Sequence, residues 1–224
     1  MAKKIKAVVF DMDGVLFDTE RLCLASWEVV AERFGMKDIG KVFPLCIGRT
    51  RPDTMRIIHE HYPGLDIDRF YEEEHKVIAE KLEREGVPLL PYAGEILSGL
   101  HEAGVPLALA SSTKIETVTR QLKEVGFYGR FRVIVGGDLV KNGKPAPDIY
   151  LEACRRLGFD PADCAAVEDS FNGIRSAHAA GMLPVMVPDM VQPDEEIKAL
   201  ACAVCPDLKA AEALLIGMFT GKAV

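Results

Sequence analysis

Ile5-Lys6-Ala7-Val8-Val9-Phe10-Asp11-Met12-Asp13-Gly14 is the stretch on which the fold turns. Residues 5–10 are mostly apolar and β-branched, as suits a strand buried in a parallel sheet. The run then stops at two carboxylates and a glycine. Ligands of open α/β sheets bind just beyond the carboxyl ends of strands. Asp11 and Asp13, two residues apart at such an end, can offer a nucleophile and a proton donor to one substrate atom.

Outward from that stretch, strand and helix signals alternate. Residues 105–110, 131–135, 164–167 and 183–187 read as further buried strands. Between them, Thr113 and Glu116 form a capping box that opens a helix closed by Gly126. A helix from Asp148 stops at Gly158, and Ser170 caps another from Phe171 to Ala180, closed by Gly181. A last helix covers residues 208–218. Such βαβ alternation predicts an α/β fold, a parallel sheet with helices on both faces.

Residues 18–88 break the pattern and contain no convincing strand. They read as three helices: Thr19 to Phe34, one started by Thr50, Pro52 and Asp53 and ended near Tyr62, and Asp68 to Glu85. This predicts an all-helical insertion, with residues 1–17 and 89–224 forming the core. Gly14 to Asp18 and the run Gly86-Val87-Pro88-Leu89-Leu90-Pro91 suit hinges at its two joints. The acidic run Glu72-Glu73-Glu74 reads as a solvated helix face.

The 224 residues suffice to bury roughly 70% of the unfolded chain's surface without disulfides. Net charge is −7, which disfavours nucleic acid and anionic membrane as partners. No run approaches the ~20 apolar residues of a membrane span. Met1-Ala2-Lys3-Lys4 is basic, but the apolar run behind it is short for a signal peptide and broken by Lys6, so a cytoplasmic protein is expected. The six cysteines are scattered and read as reduced thiols. Cys202-x-x-Cys205 has no second Cys or His pair to complete a zinc site. His59 and His61, two apart on a helix, do not face each other.

Four chemical signals follow four predicted strands: Asp11 and Asp13, Ser111, Lys144, and Glu168-Asp169. In a parallel sheet these ends share one crevice. Four carboxylates gathered there need a cation, and hard oxygen ligands at a phosphate site point to Mg²⁺. Asp11 and Asp169 are the preferred ligands, with Glu168 holding a coordinated water or assisting. Lys144 and Ser111 would neutralise and hydrogen-bond phosphoryl oxygens. Asp11 would attack phosphorus to form an aspartyl-phosphate, and Asp13 would act as acid and then base. Gly14 permits the turn that aims both aspartates at one site, since residues two apart on a straight strand share a face but not a focus.

The motif set Asp-Met-Asp-Gly-Val-Leu-Phe-Asp, Ala-Ser-Ser-Thr-Lys, Gly-Lys-Pro-Ala-Pro-Asp and Val-Glu-Asp-Ser-Phe-Asn-Gly-Ile resembles that of the haloacid dehalogenase superfamily and covers nearly the whole chain. The insertion resembles the type 1 cap of its β-phosphoglucomutase-like branch. The resemblance implies a Rossmann-like core, a mobile helical cap, Mg²⁺, and a small phosphorylated metabolite as substrate. It places the metal beside Asp11, Asp169 and the backbone carbonyl of Asp13. Gly14, Thr19, Glu20, Arg51, Ser112 and Asn172 fall in its substrate-facing segments, and a monomer is expected.

True dehalogenases lack the second aspartate, so Asp13 argues against that activity. The mutase carries a histidine at the position of Cys23, and a thiol is no cationic donor near neutral pH. An arginine gripping a distal phosphate would match Arg51 or Arg49, and its lysine partner Lys76. The run Asp18-Thr19-Glu20-Arg21-Leu22 looks more like the small-molecule phosphatases. A phosphatase is therefore favoured, with a phosphosugar mutase as the alternative and a non-catalytic phospho-ligand scaffold third.

Overall fold

The computed structural model describes residues 4–47 and 51–221. Arg49 and Thr50 lie outside them. The chain gathers into two compact units, one of residues 1–17 with 89–224 and one of residues 18–88.

The first unit is built on six parallel strands: β1 (Ala7–Phe10), β2 (Leu107–Ser111), β3 (Val133–Gly136), β4 (Cys164–Glu168), β5 (Leu183–Met186) and β6 (Ala203–Val204). Their spatial order is β3-β2-β1-β4-β5-β6. Register runs Val8 to Leu107 on one side of β1 and Val8 to Ala165 on the other. The edge strand β6 escapes the sequence reading because two residues are too short to show periodicity. Two helices of this unit, α5 (Ala93–Glu102) and α9 (Glu195–Leu200), also go unread, whereas α6 (Ile115–Glu124), α7 (Asp148–Leu157), α8 (Phe171–Ala179) and α10 (Leu208–Thr220) fall where the pattern predicts.

Both sheet faces are covered. Ala7 and Val9 of β1, Ala108 and Ala110 of β2 and Cys164 and Ala166 of β4 pack with Ile149, Tyr150 and Ala153 of α7 and Ala177 of α8. Val8 and Phe10, which point to the opposite face, are equally buried. That double burial is why β1 reads as a continuous apolar run rather than an alternation. Among the described residues no helix is long and apolar enough to cross a membrane.

Among the described residues the second unit holds four helices: α1 (Thr19–Arg33), α2 (Ile39–Cys46), α3 (Arg51–His61) and α4 (Ile67–Glu85). The extra helix, α2, carries Pro44 inside it, which masks it in the sequence. Trp27 is the centre of this unit, edge-on to Phe43 and Phe70 at ring distances of 5.1 and 5.3 Å. One expectation fails here: Glu74 is not on a solvated face but 5% exposed. It shares the i, i+4, i+7 stripe of Phe70 and Val77, so α4's own periodicity turns it inward. Trp27 Nε1 and the Cys23 thiol donate to its Oε1 at 3.1 and 3.3 Å.

Candidate active site

The strand order reverses direction at β1. The chain builds outward to β2 and β3, then crosses back to place β4 on β1's free side. The carboxyl ends of β1 and β4 thus flank the switch point where open α/β sheets open a crevice. Asp11 follows β1 directly, and Glu168 and Asp169 close β4. Lys144 arrives on the connection that leads back from β3 to α7.

Lys144 is the hub. Its ammonium lies 2.8 Å from Asp11 Oδ1, and it donates to Glu168 Oε1 at 2.6 Å and to the Ala110 carbonyl at 3.3 Å. The side chain is only 7% exposed, although a lysine before a proline is more often at the surface. Burial pulls its pKa down, but the Asp11 and Glu168 carboxylates outweigh this and hold it above the usual lysine value. Burial pushes the Asp11 carboxyl up to about 7; Lys144 opposes that rise, while Glu168 and Asp13 add to it.

Glu168 is fully buried and held from three sides. Lys144 and the Tyr150 hydroxyl, the latter at 2.6 Å, donate to Oε1. Ser170 donates to Oε2 through its hydroxyl at 3.1 Å and its backbone N–H at 3.4 Å. The Ser170 oxygen also accepts from Gly173 N–H, so it caps α8 as the sequence predicts while it fastens Glu168. A Cβ on Gly173 would stand 1.9 Å from the Glu168 carboxyl carbon, so only glycine fits beneath that side chain.

Asp13 is held differently. Ser111 and Thr113 donate to its Oδ2 at 3.2 and 2.9 Å, and Thr113 N–H donates to the Ser111 oxygen at 3.0 Å. The predicted capping box is therefore wrong. Lys114 occupies the N-cap position of α6 without a side-chain cap, and Ile115 N–H instead donates to Asp138 at 2.8 Å. Asp138 lies beyond β3, and the Thr113 hydroxyl is left for Asp13. Local spacing could not reveal that exchange, because the competing acceptor is 100 residues away.

Gly14 has φ +76°, and a Cβ there would lie 2.2 Å from Asp169 Oδ2. The glycine both makes the turn and leaves room for the aspartate. Asp11, Glu168 and Asp169 are all buried, and each offers an oxygen within 4.8 Å of the others, a donor set that fits a hard divalent cation. The Asp13 carboxylate is not in that group.

The remaining candidates are placed as follows. Ser112 is exposed after β2, and Asn172 is half-buried in the first turn of α8. Thr19, Glu20 and Arg51 belong to the helical unit. Thr19 opens α1, its hydroxyl oxygen buried without a hydrogen-bond partner among the described residues. The Arg51 guanidinium lies over the Tyr71 ring, 4.9 Å from its centroid. Lys76 is exposed and pairs with Glu73 at 2.7 Å. Cys202 is exposed and Cys205 buried on either side of the two-residue strand β6, and both are free thiols.

The family profile described as haloacid dehalogenase-like hydrolase matches residues 5–181. The chain belongs to the haloacid dehalogenase-like hydrolases. It is 37% identical over 193 residues to a probable pseudouridine-5'-phosphatase of Drosophila melanogaster, covering 84% of this chain and 83% of that protein. It is 30% identical over 192 residues to a β-phosphoglucomutase of Bacillus subtilis, covering 82% and 83%. A family hydrolase of Deinococcus radiodurans, solved with bound phosphate and sodium, superposes with a TM-score of 0.79 at 26% identity over 98% of this chain and 99% of that one. The parallel sheet with its helices is thus the fold of this family.

Proposed function

We propose that this chain hydrolyses a small phosphomonoester, a sugar phosphate or nucleotide-like compound, through an aspartyl-phosphate on Asp11 and with Mg²⁺ as cofactor. The observation that carries the reading is the division of labour between two aspartates two residues apart. Asp11 is buried against a lysine, while Asp13 is held off by two hydroxyls. In this reading Asp11 is the nucleophile and Asp13 the group that exchanges the proton.

An Asp11 oxygen bonds to phosphorus as the bond from phosphorus to the leaving oxygen breaks, and Asp13 gives that oxygen a proton. A water then attacks the acyl phosphate, Asp13 takes its proton, and the phosphorus–Asp11 bond breaks to release phosphate. Lys144 faces the phosphoryl oxygens as a fixed charge, and Ser111 is the adjacent donor. Asp11 and Asp169 would hold Mg²⁺ with the Asp13 backbone carbonyl, and Glu168 would hold a coordinated water or assist. When bound, the metal supplies charge neutralisation of the phosphoryl group. Residues 18–88 act as the cap in this reading and the rest as the core. Gly14, Ser112 and Asn172 are its core substrate contacts, and Thr19, Glu20 and Arg51 its cap contacts.

Phosphatase is favoured over mutase because the thiol at position 23 is turned to Glu74, and burial and that carboxylate push it above the usual thiol range, so it stays neutral. A Mg²⁺-dependent screen of phosphomonoesters for free phosphate tests the reading. It includes β-glucose 1-phosphate with a trace of the 1,6-bisphosphate, and glucose 6-phosphate without free phosphate would mark a mutase. Asp11→Asn is expected to abolish turnover with the fold intact, and hydrolysis at the wild-type rate in that variant would overturn the mechanism.

A further inference from the structure

Tyr150 is the one member of the buried network that no motif announces. It lies in α7, two residues past the Gly-Lys-Pro-Ala-Pro-Asp run, and is fully buried among the side chains between α7 and the sheet. A phenylalanine would fill the same apolar slot. The hydroxyl is the part that needs a reason, because a buried O–H must find an acceptor. It finds Glu168 Oε1 at 2.6 Å, the same oxygen that accepts from Lys144 at 2.6 Å. The Lys144 ammonium also stands 5.1 Å from the centre of the Tyr150 ring.

We propose that Tyr150 is a positioning residue: its hydroxyl fixes the Glu168 carboxylate, and through it sets where the Lys144 ammonium sits against Asp11. Three features carry this. Glu168 Oε2 is tied to Ser170, so the carboxylate has one oxygen left with which to orient the lysine. That oxygen is shared between two donors. A charge-assisted bond from Tyr150 draws off part of its charge, leaving Lys144 divided between Glu168 and Asp11 rather than captured by Glu168. Gly173 closes the floor, so the carboxylate cannot relax in that direction. Without the hydroxyl, Glu168 holds Lys144 as its sole partner on Oε1, and the ammonium shifts from Asp11. The catalytic consequence rests on the proposed hydrolysis, but the positioning does not.

The experiment is Tyr150→Phe in [¹⁵N]lysine-labelled protein, with the Lys144 ammonium resonance assigned by its loss in Lys144→Met. In the wild type that resonance is expected to be resolved and slow to exchange with water. In Tyr150→Phe it is expected to shift and broaden, while kcat for phosphomonoester hydrolysis falls about tenfold, KM stays within about twofold and the melting temperature within a few degrees. A merely structural tyrosine would move the melting temperature without moving the Lys144 signal. An unchanged Lys144 resonance overturns the proposal, whatever happens to the rate. A changed resonance in a protein that hydrolyses no phosphomonoester upholds the positioning and sinks the proposed function instead. If Tyr150→Phe does not fold, the wild-type Tyr150 hydroxyl proton decides: a slowly exchanging, strongly hydrogen-bonded proton supports the contact, and fast exchange with water refutes it.

Discussion

Replacing Lys144 by methionine would remove the sole cation contacting Asp11 and Glu168 among the described ion pairs while keeping much of the apolar stem. The two ion pairs, at 2.8 and 2.6 Å, are each worth about 6 kcal/mol of direct attraction at an effective dielectric of about 20. Most of that offsets the cost of burying the charges, so it is not the net contribution. The variant instead leaves two carboxylates, 7% and 0% exposed, without their partner. Stranding buried charge in this way costs about 3–5 kcal/mol. For a chain of this length that is a drop in melting temperature of roughly 6–20 °C. The assay is urea unfolding in EDTA, so that no divalent cation substitutes for the lysine.

The deficit should also depend on pH in a defined direction. With Lys144 gone, nothing opposes the burial that raises the folded-state pKa of Asp11 above its unfolded value, so the folded variant binds more protons than the unfolded chain. Its stability therefore falls as pH rises above the ordinary carboxylate range, and the deficit against wild type is smaller at pH 5 than at pH 8. Hydrolysis should fall by about 10²–10³-fold, as for loss of a fixed donor at a charged transition state. A deficit below about 1 kcal/mol at pH 7.5, or one that does not change with pH, would refute the reasoning, because an exposed pair behaves that way.

Two further outcomes are expected. Thr113→Val should lower kcat several-fold and the melting temperature by no more than about 10 °C, since it removes one hydroxyl donor to the Asp13 carboxylate, about 1.5–3 kcal/mol, and no helix cap; a larger loss of stability would restore the capping role. Glu74→Ala should destabilise the helical unit by about 1–3 kcal/mol, because the Trp27 N–H loses its acceptor inside the core. Trp27 is the chain's single tryptophan, so its fluorescence reads that change directly, and an unaltered emission would show that Glu74 is dispensable there.

The order of chemical signals along the chain was enough to announce a parallel α/β sheet with a helical insertion, and to single out Asp11, Asp13, Ser111, Lys144, Glu168 and Asp169. Each follows a run whose apolar, β-branched character is a local property, and local properties are legible in one dimension. Residue type carried the chemistry as well, since carboxylates, a lysine and a glycine keep their acid–base and conformational character wherever the chain takes them.

What only the tertiary structure decided is partnership. Thr113 has the spacing of a helix cap but spends its hydroxyl on Asp13, while Asp138 caps its helix from beyond β3. Glu74 stands in an acidic run yet supports Trp27 from inside the helical unit. Tyr150 looks like core and is core, except for the one oxygen that meets Glu168. A hydrogen bond depends on which atoms arrive within about 3 Å of each other, and for side chains far apart in sequence only the packed sheet and its helices determine that.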